Sequence, residues 1–304
     1  MRIVSLIASA TEIVHALDLG QFQVGRSHEC DFPPQVHTLP VCTKPAFSLD
    51  GSSADIDRRV KEKLTSALSV YEVFEDVLER LAPTHIITQA QCEVCAVSLK
   101  DVERALCGMV SSRPQLVSLN PNALSDIWDD IHRVADSGQV SERGSALVAN
   151  LRERMQAISC LARTGPRKRV ACIEWQQPLM AAGNWVPELV EMANGENLFG
   201  VAGAHSPWMD FDQLVAADPD VIVVTPCGYD LEKTRAEMYW LTQNPLWRKL
   251  RAEVYLADGN QFMNRPGPRV VESLQILAEI LHPELFPPEL QGLGACQPWP
   301  RDAS

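Results

Sequence analysis

Short apolar runs of four to eight residues alternate along the chain with longer stretches in which apolar residues recur every three or four positions. That grammar predicts an α/β architecture with mainly parallel strands. The run 3–6 (Ile-Val-Ser-Leu) leads into a helical stretch that ends at Gly20, and then into a turn, Ser27-His28-Glu29-Cys30-Asp31-Phe32-Pro33-Pro34. A second half repeats the order: the run 170–175, a helix around 187–192, Gly195 and Gly200, and the turn Ala204-His205-Ser206-Pro207-Trp208. The phrase Ala82-Pro83-Thr84-His85-Ile86-Ile87-Thr88 returns as Asp218-Pro219-Asp220-Val221-Ile222-Val223-Val224-Thr225, in which a proline stops a helix and a buried strand ends at Thr. A closing strand is expected in each half, at 115–119 and 254–257.

Between the halves, residues 123–162 carry apolar residues at helical spacing (Leu124, Ile127, Trp128, Ile131, Val134, then Leu147, Leu151, Met155, Ile158). The stretch 141–162 fits one helix about 30 Å long. The expected organisation is an N-terminal α/β lobe over 1–120, a helical connector over 121–164, a C-terminal α/β lobe over 165–285 and an irregular Pro- and Gly-rich tail over 286–304. Each lobe would have a central, mainly parallel sheet flanked by helices, with the long helix running from lobe to lobe.

Composition narrows the function. The chain has 304 residues, 46% apolar and 22% charged, with a formal charge of -12. An excess of acid repels phosphate backbones, so nucleic acid is excluded as a partner. No apolar run approaches the roughly 20 residues that span a bilayer, so no direct membrane insertion is expected. The first residues imitate a signal peptide, with Arg2 as its basic start and Ala8-Ser9-Ala10 as a cleavage site. The apolar stretch between them is shorter than the roughly 7 to 15 residues such a peptide needs, so it reads as a strand entering a helix and the expected location is the cytoplasm. Nine cysteines, an odd number in a long chain, argue against a disulfide framework.

In open parallel sheets ligands bind beyond the carboxyl ends of the strands. The expected ends carry Ser9 and Thr11, then His28, Glu29 and Cys30, then Cys42 and Lys44, then Cys92 and Cys95 in the first half. In the second they carry Glu174 and Trp175, Trp185, His205 and Trp208, Tyr229, and Arg265. Four aromatic residues on the second rim offer flat apolar walls with polar tips.

At these residues the chain resembles the class III periplasmic binding proteins, whose best-known members bind cobalamin or iron siderophores. The likeness rests on Arg2-Ile3-Val4-Ser5-Leu6 with Ser9-Ala10-Thr11-Glu12, on Val24-Gly25-Arg26-Ser27 with Cys30-Asp31-Phe32-Pro33-Pro34, on Ser206-Pro207-Trp208 and on Arg265-Pro266-Gly267-Pro268-Arg269. It covers nearly the whole chain and is nearest to the cobalamin-binding branch. It implies two α/β lobes joined by one long helix, with ligand held between the rims and Trp208 lining a corrin pocket. Glu29 and Lys44 depart from the pattern, replacing aromatic contacts by charge. The family's permease-docking acids fall at Asp50 and Asp212, although a cytoplasmic chain would not meet an ABC permease.

Several residues have two readings. Cys92-x-x-Cys95 can chelate a metal or exchange a disulfide, with Cys30, Cys42 and His28 as further ligands, or all can be buried thiols. His28 and His205 hold echoed turns and can grip a metal centre or an axial position of a ligand, or each can bond nearby backbone and fix its turn. Glu174 can orient a ligand or pair with Arg265 or Arg269. Trp128 and Trp240 lie on helical stretches and read as packing residues. No phosphate-loop, nucleophile-elbow or zinc-protease motif is present, so no enzyme is expected. The leading expectation is a ligand-binding protein that holds a corrinoid or another large metal-containing compound in the interlobe cleft. Ser9, Thr11, Glu29, Lys44, Glu174, Trp175, Trp185, His205, Trp208, Tyr229 and Arg265 would be its contacts. The alternatives are a metal- or Fe-S-cluster protein or enzyme built on Cys30, Cys42, Cys92 and Cys95, and the substrate-binding component of an ABC transporter.

Overall fold

Ile3–Ser5 (β1) is buried along its whole length, as expected of a strand covered on both faces. A computed structural model describes residues 1–46, 48, 50–65, 71–89 and 112–300, with 63–65 described for backbone alone. β1 pairs in parallel with Gln23–Arg26 (β2) on one side and His85–Gln89 (β5) on the other, and β5 pairs with Gln115–Leu119 (β6). The sheet order is β2-β1-β5-β6. Thr43–Pro45 (β3) and Tyr71–Val73 (β4) form a separate antiparallel pair.

In the second half, Lys168–Trp175 (β7) pairs in parallel with Gly195–Asn197 (β9) and Val221–Val224 (β10), and β10 with Glu253–Ala257 (β11). The order β9-β7-β10-β11 repeats β2-β1-β5-β6 strand for strand, so the echo along the sequence is an echo of topology. Met180–Ala181 (β8) adds an antiparallel partner at the carboxyl end of β7. The two proline phrases match in backbone as well. The helix Glu75–Leu81 ends at Ala82 (φ 39°, ψ 60°) and the helix Phe211–Ala217 at Asp218 (φ 42°, ψ 64°). Each cap is left-handed, and the proline after it disfavours any helical continuation.

The segment after residue 286 departs from the expected irregular tail. It holds a helical turn, Glu289–Gly292, and the strand Cys296–Pro298 (β12), which pairs antiparallel with β11. Ala295 and Cys296 are buried there, and two small apolar residues among prolines are too short a run to announce a strand.

The chain divides into two compact units. The first is Met1–Gly51, Asp55–Pro121 and Ser125–Asn150; the second is Ser52–Ala54, Asn122–Leu124 and Leu151–Ser304. The helix Ser141–Ala162 gives its residues up to Asn150 to the first unit and the rest to the second. Val4, Leu6, Leu78 and Ile86 centre one core, and Ile173, Leu214, Ile222, Val224 and Leu256 another. Each such side chain contributes about 1.5–3 kcal/mol by leaving water. Among the described residues, no helix is long and apolar enough to cross a membrane.

Candidate functional site

The carboxyl end of the first sheet is floored by hydroxyls. Ser5 ends β1, and its Oγ meets the Thr11 hydroxyl of the helix Ala8–Ala16. Gln23 Nε2 donates to Ser5 Oγ at 2.8 Å, and Thr11 Oγ1 donates to Cys30 Sγ at 3.0 Å. Ser9, Thr11 and Cys30 are fully buried. They lie beneath the rim rather than on it, because the first turn of the helix packs onto the strand ends. Above them, His28 Nδ1 bonds Thr43 Oγ1 at 2.8 Å, and the ring lies 5.3 Å from that of Tyr71. Burial, helped by the Arg26 charge, pulls His28 down to about 4. Tyr71 donates its phenol proton to Glu29 at 2.8 Å. Lys44 is exposed and paired with Glu72 at 2.8 Å.

Of the cysteines in the metal alternative, Cys30 and Cys42 are buried, and burial pushes the Cys30 thiol up and Cys42 to about 12. Among the described residues, no three His, Cys, Asp or Glu side chains converge on a point. Cys92 and Cys95 lie outside the described residues.

The second rim is built around the end of β7. Glu174 accepts a hydrogen bond from Ser206 Oγ at 2.8 Å, and that same Oγ accepts the Gly183 N–H at 3.0 Å. Of the two readings of Glu174, orienting a ligand or pairing with Arg265 or Arg269, the pairing is replaced by a hydrogen bond from a serine of the returning loop. Burial raises the Glu174 carboxyl above its ordinary range, opposed by Ser206, His205 and the Gly183 N–H. The loop is stitched to β8 by Ala181 N–H to Pro207 O at 3.0 Å and Met209 N–H to Leu179 O at 3.0 Å. This stitching sets His205 and Trp208 on the outside, Trp208 with 54% of its surface exposed. Trp175 packs on Tyr229 at 5.2 Å between centroids, and the Lys233 ammonium lies 4.2 Å from the Tyr229 ring centre.

Two expected walls are not walls. Trp185 is 4% exposed and its indole N–H donates to Met263 O at 3.2 Å, so it packs the unit. Tyr229 is 3% exposed and reaches the rim only as the backing of Trp175. Arg265 is likewise buried, within reach of Asn260 Oδ1 at 3.4 Å. Trp128 is a packing residue, as its helical spacing predicts. Asp50 and Asp212 are exposed, one in each unit. Sequence reasoning missed Gln23, Thr43, Tyr71 and Gly183, which carry no motif and act only through where the backbone brings them.

A half-buried tryptophan backed by a buried tyrosine, an exposed tryptophan and an exposed imidazole thus stand at the strand carboxyl ends of the second unit. Residues 3–253 match the periplasmic binding protein family, and the chain belongs to it. That family consists of substrate-binding proteins, not enzymes. The vitamin B12-binding protein of Vibrio cholerae is 22% identical over 283 residues, covering 90% of this chain and 86% of its own. An uncharacterised ABC transporter substrate-binding lipoprotein of Bacillus subtilis is 22% identical, covering 94% and 81%. The crystal structure of a periplasmic heme-binding protein from Pseudomonas aeruginosa superimposes with a TM-score of 0.68 at 19% identity, covering 98% and 95%.

Proposed function

We propose that this protein is the substrate-binding component of an ABC importer and that its ligand is a large planar metal-containing macrocycle, a corrinoid or a heme. The supporting observation is the second rim. There Trp208 is exposed on a loop fixed by Ser206 and Glu174, and Trp175 lies against Tyr229 beside it. Flat aromatic surface with few polar points suits a macrocycle whose charge lies at its edge. The relatives named for vitamin B12 and for heme support the same ligand class.

Calorimetric titration of the purified chain with hydroxocobalamin and, separately, with ferric hemin tests the reading. Saturable binding of one of them is expected, weakened in Trp208→Ala by about 1–4 kcal/mol. Binding of neither would overturn it. The importer reading puts the chain outside the cytoplasmic membrane, against the cytoplasmic placement expected from the sequence. Fractionation of the source cells decides between the two.

A further inference from the structure

Four of the basic residues of this acidic chain crowd into one segment. Residues 163–169 read Arg-Thr-Gly-Pro-Arg-Lys-Arg, with no acid among them, in a chain whose formal charge is -12. They lead from the end of the helix Ser141–Ala162 into β7, at the amino end of that strand. The aromatic surface stands at its carboxyl end, about 23 Å away along the strand.

A cavity of about 500 Å³ opens at this amino end, lined by Arg163, Arg167, Glu191, Met192 and Asn194. Its walls are held in place. Asn194 follows the helix Val186–Met192 and donates Nδ2 to Gly165 O at 3.1 Å. Gly165 lies tight on His282, where an added Cβ would stand 2.4 Å from Nδ1, and His282 Nε2 donates to Ala193 O at 2.9 Å. The loop that carries both arginines is therefore pinned at its middle.

The two arginines are not spent on that structure. The helix end is closed by the loop's own N–H groups, Thr164 to Leu161 O and Gly165 to Ala162 O, each at 3.0 Å. Arg167 gives Nη2 to Glu191 at 2.6 Å, one contact from a fork of five N–H donors. The other oxygen of Glu191 is occupied too, since Oε1 accepts the Asn197 N–H at 3.2 Å. Lys168 and Arg169 turn elsewhere, to Glu253 and to Ala217 O. Arg163 is exposed, and its guanidinium has no partner among the described residues. A preformed cavity with one free guanidinium, a second held by a satisfied carboxylate, and a thioether on its wall fits an oxyanion with an apolar body.

We propose that this cavity is a second binding site, which takes a small phosphate monoester with Arg163 and Arg167 on its phosphoryl oxygens and Met192 against its body. It does not depend on the ligand class proposed above.

Calorimetry on the whole chain at fixed ionic strength, with inorganic phosphate and phenyl phosphate as probes, tests the site. Saturable one-to-one binding with a Kd of about 1 mM or tighter is expected, tighter for phenyl phosphate because its ring meets Met192. Arg163→Ala should weaken both probes at least about tenfold, while its urea midpoint and its titrations with hydroxocobalamin and ferric hemin match the wild type. Arg163→Lys should lose less, because it keeps the charge without the fork. Heat that never saturates, or equal affinity in the wild type and Arg163→Ala, would overturn the second site and leave the macrocycle reading untouched. A chain that takes phosphate but neither macrocycle would support the second site alone.

Discussion

At the residue scale, a half-buried histidine and a buried aspartate of the first unit pull its acid stability in opposite directions. His28 is lowered to about 4 from an ordinary 6.5, mainly by burial, so below 6.5 the unfolded chain takes up a proton that the folded chain refuses. Stability is lost as the pH falls from 6.5 to 4. Asp130 is raised to about 6 from an ordinary 3.8, again mainly by burial, outweighing the Asn120 N–H and Arg133 bonds it accepts. There the folded chain holds a proton that the unfolded chain has released, so stability is lost as the pH rises from 3.8 to 6. Each effect is at most about 3 kcal/mol, and between pH 4 and 6 they offset each other. Relative to the wild type, His28→Gln should gain stability as the pH falls from 6.5 to 4, and Asp130→Asn should gain as it rises from 3.8 to 6. Urea unfolding at several pH values reads both slopes. Parallel curves for variant and wild type would show that the group is not buried as described.

At the scale of elements, the Trp208 loop depends on a backbone that tolerates no side chain at Gly200. That residue has φ +69°, and a Cβ there would collide with Ala182 O; Gly228 has φ +74° with nothing within 4 Å. Gly228→Ala carries only the left-handed backbone strain, about 1–2 kcal/mol. Gly200→Ala carries the same strain plus the collision, and should cost more and weaken ligand binding as the loop shifts. Denaturant midpoints compare the two, and equal losses would mean that the loop does not need its close approach. The elements themselves were largely legible in the sequence. The helix 141–162 and the strands around Ile86 and Ile222 follow from period and proline, since those signals are local. The paired left-handed caps at Ala82 and Asp218 follow the same repeated phrase. What the sequence hid was partner choice. Glu174 was as well placed on paper for Arg265 or Arg269 as for anything else, because nothing in the spacing says that the chain returns Ser206 to the end of β7. Trp185 and Tyr229 looked like walls for a similar reason: a strand end marks where a residue lies along the chain but not which way its neighbours fold over it.

At the scale of the molecule, the formal charge of -12 and the repeated strand order turn two isolated acids into a pair. Each unit exposes one of them. Asp50 accepts the Ser48 hydroxyl at 2.7 Å, and Asp212 stands in the first turn of the helix Phe211–Ala217. Neither is needed by the rims described above, so changing them should leave ligand affinity intact. If the chain delivers its cargo to an importer, exposed carboxylates on both units suit a permease that presents a basic patch to each, since complementary charge steers encounter and fixes orientation. Asp50→Lys or Asp212→Lys alone should then reduce macrocycle uptake by cells. The double reversal should abolish it, while calorimetry on the same proteins gives the wild-type affinity. Asp50→Asn and Asp212→Asn should fall between, because neutralising removes attraction without adding repulsion and leaves the helix start nearly undisturbed. Raising salt should weaken the wild-type complex with reconstituted permease and affect the double reversal little, since contacts between exposed charges are screened within about 10 Å at 0.1 M. Undiminished uptake with both acids reversed would remove them from the docking surface and return the question of where a partner binds to the rest of the acidic surface.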